Sequence, residues 1–83
     1  MTKYEPLRTF LQNRKETTWQ ATFADVENVL GFELPQSAFV HRAWWANEIS
    51  PKGSHVHAVW INAGWQTEQV DQARNRLTFR RIS

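Results

Sequence analysis

Three histidines, His41, His55 and His57, are the side chains of this chain best suited to metal or acid–base chemistry, and no cysteine joins them. His55 and His57 are two apart. On a helix they point about 200° from one another, too far round to share an ion. On a strand they would align, but Ser54 and the apolar spacing behind it favour a helix. His41 would need a carboxylate from elsewhere. The acids supply no set: Asp25 and Glu27 sit too close on a helix to face each other, and Glu33, Glu48, Glu68 and Asp71 form no spaced motif. A metal-dependent nuclease needs converging carboxylates. Ser37 and Ser54 lack the strand–turn–helix setting of a nucleophilic serine. The residues therefore predict no catalytic group, no metal and no cofactor.

Anion binding is the chemistry the residues suit better. Ser54 is a good N-cap, His55 falls in the first turn after it, Lys52 lies just upstream and Asn62 shares the strip of His55. Free backbone N–H groups and the helix dipole there favour a phosphate. The plainer alternative is that Ser54 caps and His55 is a surface residue. A second basic group, Arg74, Arg76, Arg80 and Arg81, lies near the C-terminal end, and Arg8, Thr9 and Lys15 extend it if the first helix packs close. Trp44 and Trp45, next to Arg42 and Asn47, are the stacking candidates, one indole able to meet a base or an apolar partner group. The alternative is that both pack, with Asn47 bonding to backbone.

These groups need elements to hold them. Tyr4, Leu7, Phe10 and Leu11 predict a helix over 5–13, with Pro6 in its first turn. Residues 19–22 read as a short extended piece. Thr22 and Asp25 form a capping box ahead of a helix over 23–30, in which Phe23, Val26, Val29 and Leu30 share a face and Gly31 ends the run. Pro35 opens a short third helix, followed by extended Ala43–Ala46 with its two tryptophans facing opposite ways. Val56, Val59, Trp60 and Ala63 predict a helix over 55–63, closed by Gly64. Residues 65–70 and 76–82 then read as a hairpin about a turn at 71–75, with Leu77 and Phe79 on one face and Arg76, Thr78 and Arg80 on the other. The predicted core is Leu7, Phe10, Leu11, Phe23, Val26, Leu30, Val56, Val59, Trp60, Trp65, Leu77 and Phe79.

Length and composition bound these readings. Eighty-three residues, 41% hydrophobic and 22% charged, suit one folded domain over 1–83 and no second core. The absence of cysteine excludes disulfides and thiolate chemistry, and no apolar run is long enough to span a bilayer. With no signal-like start, a cytoplasmic location is expected. The net charge of +2 is uneven. Lys3, Arg8, Arg14 and Lys15 outweigh the acids at the beginning, five cations outweigh two acids after residue 50, and the middle is acidic. Ends that meet in space would form a basic patch.

Leu34-Pro35, Ser37-Ala38, His41-Arg42-Ala43-Trp44-Trp45-Ala46-Asn47, His55, Trp60, Ala63-Gly64-Trp65 and Phe79-Arg80 together resemble a family of small bacterial domains of unknown function. The resemblance spans roughly residues 4–81. It implies a self-contained domain, in some members associated with DNA metabolism or restriction, with Trp44, Trp45, Asn47, His55, Trp65 and Arg80 at pattern positions. The expected fold is α+β, three or four short helices on a small antiparallel sheet ending in a C-terminal hairpin. The expected function is non-catalytic nucleic-acid binding, DNA foremost, through Arg42, Lys52, Ser54, His55, Asn62, Arg74, Arg76, Arg80 and Arg81. The alternative is a protein-interaction module or inhibitor using exposed tryptophans, phage- or plasmid-borne and acting on a host defence or DNA-processing protein. No membrane partner is expected, and an apolar helix face leaves room for a homodimer.

Overall fold

The computed structural model describes residues 3–47 and 56–82, the last three-residue stretch before Val59 by backbone alone. The chain runs α1 (Glu5–Gln12), β1 (Thr18–Thr22), α2 (Phe23–Leu30), α3 (Ser37–Val40), a 3-10 turn (Arg42–Trp45), α4 (Val56–Asn62), β2 (Trp65–Asp71) and β3 (Arg76–Arg81). This is an α+β fold, short helices packed on a three-stranded antiparallel sheet that ends in a hairpin.

Local signals account for most boundaries. Pro6 sits in the first turn of α1, and Leu7 and Leu11, one turn apart, are buried. The capping box is present in both directions: Asp25 N–H donates to Thr22 Oγ1 and Thr22 N–H to Asp25 Oδ2, each at 3.0 Å. Gly31 closes α2 at φ 86°, the left-handed conformation that a Cβ would oppose. Leu34 N–H then donates to Glu27 Oε2 at 2.8 Å, tying the following turn back to α2. Helix α3 begins at Ser37, two residues after Pro35.

The sheet order is β1–β3–β2, so β3 is central. The short extended piece of the sequence reading is therefore a full edge strand, with Thr18 opposite Arg80 and Thr22 opposite Arg76. Bonds at the two ends of this ladder, Arg81 N–H to Thr17 C=O and Phe23 N–H to Asn75 C=O (both 2.8 Å), set its alternation. Trp19 and Ala21 turn their backbone groups to β3, and Thr18, Gln20 and Thr22 turn theirs away. Two of those outward groups are taken locally, Thr18 C=O by Arg14 Nε at 3.3 Å and Thr22 N–H by Asp25. Such closure discourages edge-to-edge pairing.

Between β2 and β3 the register shifts between Glu68 and Asp71, one extra residue on β2. Gln69 adopts φ 51° at this bulge, and Asn75 φ 57° in the hairpin turn. Asn tolerates that region. A glutamine held there costs of order 1 kcal/mol or more. Through the bulge, Val70 packs against the core while Gln69 is exposed.

One core joins the layers. Leu7, Leu11, Phe23, Val26, Leu30, Val59, Trp60, Trp65, Leu77 and Phe79 are buried as expected from the pattern, together with Ala21, Leu34, Ala38 and Trp45. Phe10 lies at the margin, half-buried, and the side chain of Val56 lies outside the described residues. Rings run through this core in contact: Trp19 stacks on Phe79 (5.4 Å), Phe79 meets Trp60 edge-on (5.7 Å), and Trp60 and Phe23 stack on Trp45 (5.9 and 4.8 Å). Each such pair adds about 0.5–1.5 kcal/mol beyond simple burial.

Candidate functional site

The Trp44–Trp45 region departs from the expected strand. Residues 42–45 form a 3-10 turn, which His41 enters in an extended conformation. The two indoles therefore do not face opposite ways. They meet edge-to-face at 4.6 Å, Trp45 at 1% exposure and Trp44 half-buried. Trp45 Nε1 donates to Ala38 C=O at 2.8 Å, and Gln72 Nε2 reaches the same oxygen at 3.0 Å. Trp45 is thus a core residue and not a stacking surface. The adjacency in sequence could not reveal this, because a turn and a strand distribute neighbouring side chains differently.

Asn47 is occupied too. Its Nδ2 donates to Thr67 C=O at 2.9 Å, and its Oδ1 accepts from Thr67 N–H at 2.7 Å. The side-chain amide thereby takes the place of a neighbouring strand on the outer edge of β2. Thr67 Oγ1 lies 2.5 Å from Trp45 C=O and 3.0 Å from Asn47 Oδ1, and its one proton serves either. The tryptophan turn is fastened to β2 through this single threonine.

The remaining half-buried aromatics gather on the helical side. Tyr4 contacts Phe32 at 5.7 Å and Trp44 at 6.0 Å, and Lys3 Nζ lies 5.5 and 5.4 Å from the Tyr4 and Phe32 rings. Phe10 contacts Trp19 at 4.6 Å, with the Arg14 guanidinium 5.9 Å from both. Pro6, Thr9, Phe10 and Val29 line an open apolar groove between α1 and α2. The sequence did not bring these three together: Tyr4 was read only as part of a helical face, Lys3 only as one of the N-terminal cations, and nothing local marks Phe32 as their contact.

The basic residues disperse. Arg14 and Arg81 do come together, Arg81 Nη2 donating to Arg14 C=O while its guanidinium sits 5.3 Å from the Trp65 ring. Arg80 Nε is 2.7 Å from Glu68 Oε2, Arg14 Nε 3.8 Å from Glu16, and Arg8 3.3 Å from Glu5. Arg76 and Arg80 share the outward face of β3, whereas Arg74 lies on the hairpin turn and Arg42 is exposed on the 3-10 turn. Asn62 is exposed at the end of α4. Lys52, Ser54 and His55 lie outside the described residues. His41 is exposed. Among the described residues no three His, Asp or Glu side chains gather as metal ligands, and no helix is long and apolar enough to cross a membrane.

No curated protein matches the chain, and no solved structure does. The family comparison is different. Trp45, Trp60 and Trp65 build the core and Asn47 clasps β2, so the spacing of these residues records a fold. The profile of one family, Domain of unknown function (DUF7662), matches residues 4–83, and the chain belongs to that family.

Proposed function

We propose that this domain is a non-catalytic protein-interaction module that receives a partner on the arc formed by Tyr4, Phe32 and Trp44. The observation that carries this reading is the half-burial of those three rings, Tyr4 in contact with each of the other two, although the interior already holds Trp45, Trp60 and Trp65. Rigid aromatic side chains set at a surface are the usual anchors of protein interfaces. Lys3 over the arc adds a cation at its rim. The arginines support a phosphate-binding face less well, since Arg8, Arg14 and Arg80 each face a carboxylate.

Nucleic-acid binding is the second reading, favoured by the alignment of Arg76 with Arg80 along β3. One comparison separates the two. Affinity capture from the source cells with wild type, Trp44→Ala and Phe32→Ala is run beside fluorescence anisotropy of unrelated DNA and RNA across a salt series. A partner protein retained by wild type and lost by both variants, with thermal unfolding of the variants still cooperative, is the expected result. Binding to nucleic acid that falls steeply with salt, survives Trp44→Ala and is lost in Arg76→Gln would replace this reading with the second.

A further inference from the structure

The outward face of the sheet carries a groove of about 540 Å³ that is independent of the aromatic arc. Two adjacent rows of cross-strand partners build it: Thr22, Arg76 and Asp71 in one, Gln20 and Thr78 in the next. The β-bulge completes it. By turning Val70 inward, the extra residue delivers Gln69 to the groove wall at φ 51°. Bulges are a means of re-aiming a side chain, and strained backbone is retained where something else depends on it.

The guanidinium in the groove is uncommitted and the carboxylate only half so. Among the described residues no ion pair or side-chain hydrogen bond engages the Arg76 guanidinium, in contrast to Arg80 four residues along the same face, which Glu68 holds. Asp71 uses one carboxylate oxygen to accept Arg74 N–H at 3.1 Å and keeps the other. The groove therefore offers one free guanidinium, one carboxylate oxygen, two primary amides, the Thr78 hydroxyl and the O–H of Thr22, whose oxygen already accepts from Asp25 N–H.

We propose that this groove is a binding site for a small zwitterion of the α-amino-acid class. The ligand carboxylate meets Arg76, whose planar donors suit two oxygens at once. The ligand ammonium meets the free oxygen of Asp71. Gln20, Gln69, Thr22 and Thr78 satisfy the remaining polar groups. A simple anion would leave Asp71 facing it unfavourably, and a simple cation would face Arg76; only a ligand with both charges complements the pair.

The test is amide and arginine-side-chain NMR titration of the whole chain with glycine, L-alanine and L-glutamine, and separately with acetate and with methylammonium. Saturable shifts at Gln20, Gln69, Thr78 and Arg76 with at least one of the amino acids, and none with acetate or methylammonium, are expected. Arg76→Gln and Asp71→Asn each then weaken binding about tenfold or more. Gln69→Gly relaxes the backbone and removes the amide, so it raises the unfolding temperature and weakens the amino acid together. Arg80→Gln leaves binding unchanged. The proposal is overturned if none of the amino acids gives saturable shifts, or if acetate titrates the groove as well as they do and Asp71→Asn changes nothing. Saturable binding of a short oligonucleotide in their place, lost in Arg76→Gln, also overturns it.

Discussion

Replacing Asn47 by alanine tests how β2 is held. The substitution removes the donor to Thr67 C=O (2.9 Å) and the acceptor of Thr67 N–H (2.7 Å). Each bond is worth about 1 kcal/mol net. Thr67 is 5% exposed with Asn47 in place, and its N–H is left unpaired wherever the shortened side chain does not admit water. That adds roughly another 1 kcal/mol, for a total loss of about 2–3 kcal/mol. In a domain of this size the melting temperature falls by roughly 10–20 °C. Urea and thermal unfolding followed by circular dichroism give the free energy, and hydrogen exchange at the Thr67 amide locates it. Asn47→Asp keeps an acceptor for the N–H but sets an oxygen against Thr67 C=O, so it recovers little. If Asn47→Ala stays within about 0.5 kcal/mol of wild type and the Thr67 amide remains protected, the side chain does not substitute for a strand and the reasoning fails.

Two further substitutions probe the remaining supports. Thr22→Ala breaks the capping box at the junction of β1 and α2 and costs about 1 kcal/mol in urea unfolding, whereas Thr22→Ser recovers most of it. Trp45→Ala opens the middle of the aromatic core and costs about 3–5 kcal/mol, enough to unfold much of the protein at 25 °C, while half-buried Trp44→Ala costs clearly less and leaves the near-ultraviolet signal of a packed core.

The elements readable from the sequence were those whose signals are local. Helix α2 announces itself through Thr22, Asp25 and Gly31, and the hairpin through the alternation of Leu77 and Phe79 with Arg76, Thr78 and Arg80. The membership of β1 in the sheet was not readable, because Thr18 pairs with Arg80 almost a whole chain away and Trp19 to Thr22 alternate too briefly. The 3-10 turn was hidden because adjacent tryptophans suit several backbones. Candidate surfaces fared worse than elements. Trp44 and Trp45 were left open between stacking and packing, and Trp45 is buried, while Asn47 bonds to the backbone of Thr67 as the plainer alternative had it. The groove depends on a one-residue register shift, and the arc on Tyr4 meeting Phe32 and Trp44, both products of tertiary packing with no periodic trace.

The strand order has a consequence for biosynthesis. β3 comes after the other two strands in the chain yet lies between them, so β1 and β2 have no shared neighbour until Arg76–Arg81 has emerged from the ribosome. Trp19 and Trp60 likewise lack their ring partner until Phe79 is made. The nascent chain can form α1 and α2 early and pack them on each other, but α1 also waits for α4 to cover it. Closure of the sheet therefore follows synthesis of β3, and a chain halted before Phe79 holds β1 and β2 as unpaired strands, the kind of exposed edge that favours misassembly.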